Sequence, residues 1–137
     1  MLTGQPRHYV KGYEYIRKHI IEPNLKLGVE IDIFLHFWFN TVDIGKNAYS
    51  YISDTAKMNN YTNDVISSNT PSNIISLYNP VVSSYDEQVD CTKFIKKEYD
   101  TRRNHCSPFS TISQYLSLVE VVKLVSKHEE ENNIYTL

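Results

Sequence analysis

The nine residues Ile31-Asp32-Ile33-Phe34-Leu35-His36-Phe37-Trp38-Phe39 decide how the rest of the chain is read. β-Branched and aromatic side chains dominate the stretch, and these fit a pleated backbone better than a helix. Its apolarity is nearly continuous rather than alternating, the pattern of a strand covered on both faces in a parallel sheet. Parallel strands need long crossover connections, so helices are expected in the flanking sequence.

Toward the N-terminus, Met1-Leu2-Thr3 reads as the end of a short buried strand. The turn Gly4-Gln5-Pro6-Arg7 breaks it, because glycine permits a tight bend and proline fixes φ and removes a donor. A helix is expected from His8 to Ile21, with Tyr9, Tyr13, Ile16 and Ile20 on one face. Glu22-Pro23-Asn24 should stop it, since the residue before a proline is pushed out of the helical region. Strand, helix and buried strand make a βαβ unit with an expected right-handed crossover.

Toward the C-terminus, residues 40–69 are polar and weakly patterned, with one short helix expected at Lys46 to Ile52. Thr70-Pro71 marks a helix start, with Thr70 as cap, and the helix should cover Ser72 to Leu77 and end before Asn79-Pro80. Val81 to Tyr85 is a third strand, and Phe94 to Asn104 is charged surface. From Pro108 or Thr111 to Lys127 a longer helix is expected, with Ile112, Tyr115, Leu116, Val119 and Val122 as its apolar stripe. The acidic run Glu129-Glu130-Glu131 opposes the dipole at a helix C-terminus and should end it. Ile134 to Leu137 reads as the first residues of another buried strand. The expected fold is α/β, a Rossmann-like and mostly parallel sheet flanked by helices, in a single domain over residues 1–137.

Composition agrees with one globular unit. A chain of 137 residues that is 41% hydrophobic buries about two-thirds of its unfolded surface. Fourteen Lys and Arg against sixteen Asp and Glu give a net charge of −2, which excludes a generic basic nucleic-acid binder. No apolar run reaches the roughly 18–20 residues that span a bilayer. The opening MLTGQPRHYV has no charged segment followed by an apolar one, so a cytoplasmic location is expected. Cys91 and Cys106 make no disulfide framework, and with His105 they fall short of a closed zinc shell. Asn60-Tyr61-Thr62 matches a glycosylation acceptor only formally.

Ligands of open α/β sheets bind outside the carboxyl ends of the strands. Two segments stand there, Gly4 to Arg7 and His36 to Asn40. Gly4 would let backbone approach a ligand, the following helix amides could face a phosphate, and Arg7 could pair with it. The plainer reading, a shaped turn with a solvated Arg7, is favoured by spacing alone. His36 and Trp38 share one strand face, so Trp38 could lie against a base or sugar ring with His36 in polar contact. Pattern alone favours a packed aromatic strand with a hydrogen-bonded core histidine. Asp32 reads as a structural hydrogen-bonding residue, and Glu87 and Asp90 as an ordinary polar edge. No nucleophile elbow or zinc-protease motif occurs.

Five blocks taken in order carry a resemblance: Leu2 to Arg7, the Tyr13 to Pro23 helix with its Lys18-His19-Ile20-Ile21-Glu22-Pro23-Asn24 ending, Asp32 to Trp38, Ile74 to Pro80 followed by Glu87-Gln88, and Ser113 to Leu118. Together they resemble the N-terminal part of GT-A-like glycosyltransferases found in large DNA viruses and in bacterial surface-polysaccharide clusters. The resemblance implies the nucleotide-sugar-binding half of such a domain, with transfer of a sugar to an acceptor hydroxyl of a glycan or protein. Gly4, Gln5 and Arg7 would lie at the donor nucleotide, with His36 and Trp38 beside them. Glu87, Gln88, Ser113 and Gln114 would stand near the cleft. Mn²⁺ or Mg²⁺ would neutralise the diphosphate in metal-dependent members. Relatives carry an acidic, Arg-containing motif after a strand resembling Ile134 to Leu137, and here the sequence ends before it, with no Asp-x-Asp elsewhere. The implied domain is therefore partial. The alternative is a non-catalytic interaction module derived from such a domain, dimerising through an exposed strand edge.

Overall fold

Strand β2, Phe34–Trp38, is buried along its whole length and forms the middle of a three-stranded sheet. In the computed structural model, residues 1–6, 8–45, 65–91 and 108–132 are described. Strand β1 (Leu2–Gly4) pairs with β2 in parallel, setting Leu2 against Leu35 and Gly4 against Phe37. Strand β3 (Val82–Asp86) pairs in parallel on the other side, setting His36 against Ser84 and Trp38 against Asp86. The expected α/β class with a parallel sheet is thus observed. Of residues 31–39 only Phe34–Trp38 are strand, and Asp32 is exposed before it.

The first crossover is a continuous helical stretch with an internal change of pitch. Helix α1 (Tyr9–Ile16) passes into a π-helical turn (Arg17–Ile21) and then into α2 (Glu22–Lys26). The expected stop at Pro23 does not occur. A proline inside an α-helix clashes with the carbonyl four residues back and leaves it without a donor. The wider π turn just before Pro23 shifts the bonding to five-residue spacing, and π turns of this kind are single inserts within α-helices. The same spacing brings Arg17 Nε to 2.8 Å from Glu22 Oε1. The helix ends at Gly28, with Val29 N–H bonded to Asn24 O and Gly28 N–H to Leu25 O, the paired bonds of a Schellman turn.

Helix α3 (Thr70–Tyr78) connects β2 to β3. Thr70 is its first residue rather than its cap, and its Oγ1 accepts from Ser67 N at 2.9 Å. The helix closes on Asn79, whose backbone is left-handed (φ 43°) and whose N–H reaches Ile75 O. Helices α1 and α3 cover the sheet face made by Leu35, Phe37 and Phe39, and Ile74 and Tyr78 complete that core. Each Leu, Ile or Phe fully buried there contributes about 1.5–3 kcal/mol.

Helix α4 (Pro108–Asn132) covers the opposite face of the sheet, giving three layers. It runs past Lys127 to Asn132, correcting the expected end. The dipole penalty on acidic residues is confined to the last turn and amounts to a few tenths of a kcal/mol. Against it stand Lys127 Nζ, 3.8 Å from Glu131 Oε1, and Asn132 Nδ2, bonded to His128 O at 2.8 Å. The buried side of α4 also differs from the expected stripe. Ser113, Ser117 and Val121 face the sheet, whereas Tyr115 and Val122 are exposed. Small hydroxyl residues belong on that side because β2 presents His36 and Trp38 there, which need close backbone approach and hydrogen-bond partners. The expected helix at 46–52, the charged segment 94–104, Cys106 and the strand at 134–137 lie outside the described residues.

Candidate functional site

The carboxyl ends of all three strands are joined by uncharged side chains. Gln5, just after β1, places Nε2 at 3.4 Å from Gln88 Oε1. Gln88 follows β3, and its amide is within 2.9–3.0 Å of Ser113 Oγ. Its backbone N–H donates to Asn40 Oδ1 at 2.7 Å, and Asn40, just past β2, donates to Asp43 Oδ2 at 3.0 Å. Amides and hydroxyls arranged this way both donate and accept, the chemistry that recognises neutral polar ligands. A crevice of about 50 Å³ opens among Gln5, Pro6, Trp38, Phe39, Asn40 and Asp43.

A larger cavity, about 200 Å³, lies beneath the same turn between the sheet and α1 and α3. Gly4 forms part of its wall with φ +133°, a backbone conformation that side-chain-bearing residues rarely adopt. Gly12 forms another part, and a Cβ there would stand 3.2 Å from the Tyr78 hydroxyl. That hydroxyl donates to Tyr9 O at 2.9 Å, and the Tyr78 ring meets Tyr13 edge to face. Burial, reinforced by Tyr13, raises the Tyr78 phenol above its ordinary range of about 10. Tyr78 is therefore neutral and a fixed donor near neutral pH.

Of the residues singled out in the sequence, Gly4 and Gln5 line the larger cavity, and Gln5 and Trp38 line the crevice. Arg7 lies outside the described residues. His36 is elsewhere. It is fully buried under α4, with Nδ1 at 2.6 Å from Ser117 Oγ and Nε2 at 3.3 Å from Asp86 Oδ2. An ionised Asp86 only accepts, so Nε2–H donates to it, while Ser117 Oγ faces both Nδ1 and, at 3.4 Å, His36 O. Trp38 turns the same way, donating Nε1–H to Ser113 O at 3.2 Å and crossing the His36 ring at 4.7 Å.

The order hydroxyl, imidazole, carboxylate is that of a hydrolase triad, yet the exposure is reversed. Ser117 is 0% exposed, while the Asp86 side chain is 63% exposed. A nucleophile must meet substrate, so this chain of bonds fixes α4 to the sheet and does no acyl transfer. Glu87 and Gln114, which the resemblance would bring near the cleft, are exposed, whereas Gln88 and Ser113 belong to the carboxyl-edge network. Among the described residues no group of three or more His, Cys, Asp or Glu could hold a metal ion. Asp43 accepts from Asn40 at 3.0 Å, and Asp86 stands 3.3 Å from His36. Among the described residues, too, no helix is long and apolar enough to cross a membrane.

Sequence patterns miss the roles of Tyr78, Gly12 and Ser117, and they give Asn40 only as the end of the segment His36 to Asn40. A signal for Ser117 existed: Ser113 and Ser117 stand four apart, on one face of an evident helix. Asn40 and Tyr78 gain their roles only through contacts 48 and 69 residues distant. Compared with known proteins, the chain matches no family model, no curated protein and no solved structure.

Proposed function

We propose that the chain binds a nucleotide-sugar across the carboxyl edge of its sheet and is the donor-binding part of a glycosyltransferase-type, Rossmann-like domain. The observation that supports this reading is the network joining Gln5, Asn40, Gln88 and Ser113 at the ends of β1, β2 and β3. Ligands of parallel α/β sheets bind at that edge, and an uncharged ring of amides and hydroxyls suits sugar hydroxyls and base edges. Gln5 and Gln88 would orient the ligand, and the crevice beside Trp38, about 50 Å³, would take one of its hydroxyl groups rather than a whole ring.

The test is a thermal-shift screen against uridine and guanosine diphosphate sugars and the free nucleotides, with and without Mn²⁺. A ligand at 100 times its dissociation constant stabilises the native state by about 2.7 kcal/mol. A response to one nucleotide-sugar, weakened in Gln88→Leu, supports donor binding. A flat screen from a folded protein sinks it and leaves the interaction module as the better account.

A further inference from the structure

We propose that the cavity between β1, α1 and α3 is a second binding site, for an uncharged aromatic ring carrying one hydrogen-bond donor. Its volume, about 200 Å³, exceeds the roughly 150 Å³ apolar cavity known to hold benzene. Leu2, Ile16, Leu35, Phe37 and Ile74 supply apolar walls, and none of the described lining side chains is charged. The described lining offers an ion no counter-charge, so a neutral occupant is favoured.

The donor requirement comes from Tyr78. Its hydroxyl hydrogen is committed to Tyr9 O at 2.9 Å, so toward an occupant the oxygen can only accept. The space itself is made by absent side chains. Gly4 has nothing within 4 Å where a Cβ would stand, and Gly12 faces the Tyr78 hydroxyl. Phe37 and Tyr9 add aromatic side chains to the wall. The cavity shares Gln5 and Pro6 with the carboxyl-edge crevice, but Tyr78 lines the cavity alone, so failure of this proposal and failure of nucleotide-sugar binding are distinguishable.

The probes are phenol, anisole and benzoate, three monocyclic rings that differ in donor and charge. Their dissociation constants are measured by saturation-transfer NMR and by thermal shift on the full chain. Phenol is expected to bind about fivefold more tightly than anisole, the difference one neutral hydrogen bond makes, and benzoate not at all. Tyr78→Phe should bring phenol and anisole to equal affinity while anisole binding persists. Filling the cavity with Ile16→Trp, or from the opposite wall with Leu2→Trp, should abolish both. Equal affinity for all three probes, preference for benzoate, no binding by any probe, or binding that survives both filled variants would overturn the proposal. A nucleotide-sugar titration run in parallel keeps the two sites apart, because phenol binding without nucleotide-sugar binding refutes only the carboxyl-edge reading.

Discussion

Gly12→Ala measures how closely α1 approaches α3. Glycine in a helix interior is about 0.8–1 kcal/mol worse than alanine, so an unobstructed substitution would stabilise the protein by that amount. Here the new methyl would stand 3.2 Å from the Tyr78 hydroxyl, tighter than ordinary carbon–oxygen contact. Relief requires the phenol to retreat from Tyr9 O, now 2.9 Å away, and a neutral hydrogen bond contributes about 1 kcal/mol net. Gain and loss nearly cancel, and Gly12→Ala alone should change stability by less than about 0.5 kcal/mol. Tyr78→Phe alone should cost about 1 kcal/mol. With the hydroxyl gone, Gly12→Ala should recover its full gain of about 1 kcal/mol. Urea unfolding of the four proteins, read as midpoint shifts at constant slope, gives the coupling energy. A coupling near 1 kcal/mol is expected. Additivity within about 0.3 kcal/mol would show that the Tyr78 hydroxyl does not set the helix spacing.

Further outcomes follow from the same geometry. Ser117→Ala leaves buried His36 Nδ1 without its 2.6 Å partner and should cost about 2 kcal/mol in urea unfolding, as an unsatisfied buried group does. Asp86→Asn, at a side chain 63% exposed, should cost well under 1 kcal/mol because solvent screens that contact; equal costs would contradict the burial difference. Tyr78 is raised by burial, so above pH about 10 the unfolded chain releases its proton while the folded chain retains it. The unfolded state then binds fewer protons, and stability falls as pH rises from about 10 toward the folded value, with no contribution at neutral pH. Unfolding midpoints of the wild type and Tyr78→Phe should therefore converge above pH 10, and a constant gap would refute the assignment. Gln88→Leu should weaken nucleotide-sugar binding about tenfold and, because buried Ser113 Oγ loses its partner at 2.9–3.0 Å, should also cost about 1 kcal/mol in urea unfolding; unchanged affinity in the folded variant would remove Gln88 from the site.

The sheet was legible because its evidence is local. The run from Phe34 to Trp38 is apolar but for His36 and buried on both faces, a pattern that suits a central parallel strand. The order of helices and strands followed from it. The π turn was not legible, because Pro23 signals a helix stop by local sterics and the compensation lies in the hydrogen-bond spacing of the five residues preceding α2. The orientation of α4 was misread for a different reason. Apolar periodicity pointed to Tyr115 and Val122, but the helix faces the sheet with Ser113 and Ser117 because His36 and Trp38 need those partners. The candidate site divides in the same way. Gly4, Gln5 and Trp38 could be found from their place at strand ends, whereas His36, read beside them, is drawn under α4 by contacts to Ser117 and Asp86 from 81 and 50 residues away. Periodicity carries no information about which polar groups a neighbouring strand must satisfy.

Trp38 is the single tryptophan of the chain and lines the crevice at the carboxyl edge, so its fluorescence reports occupancy there directly. Titration with uridine and guanosine diphosphate sugars should give a saturable change in Trp38 emission for one of them, displaced to higher concentration in Gln88→Leu. Unchanged emission at millimolar ligand, in protein shown to be folded by its cooperative urea transition, would contradict nucleotide-sugar binding at this edge.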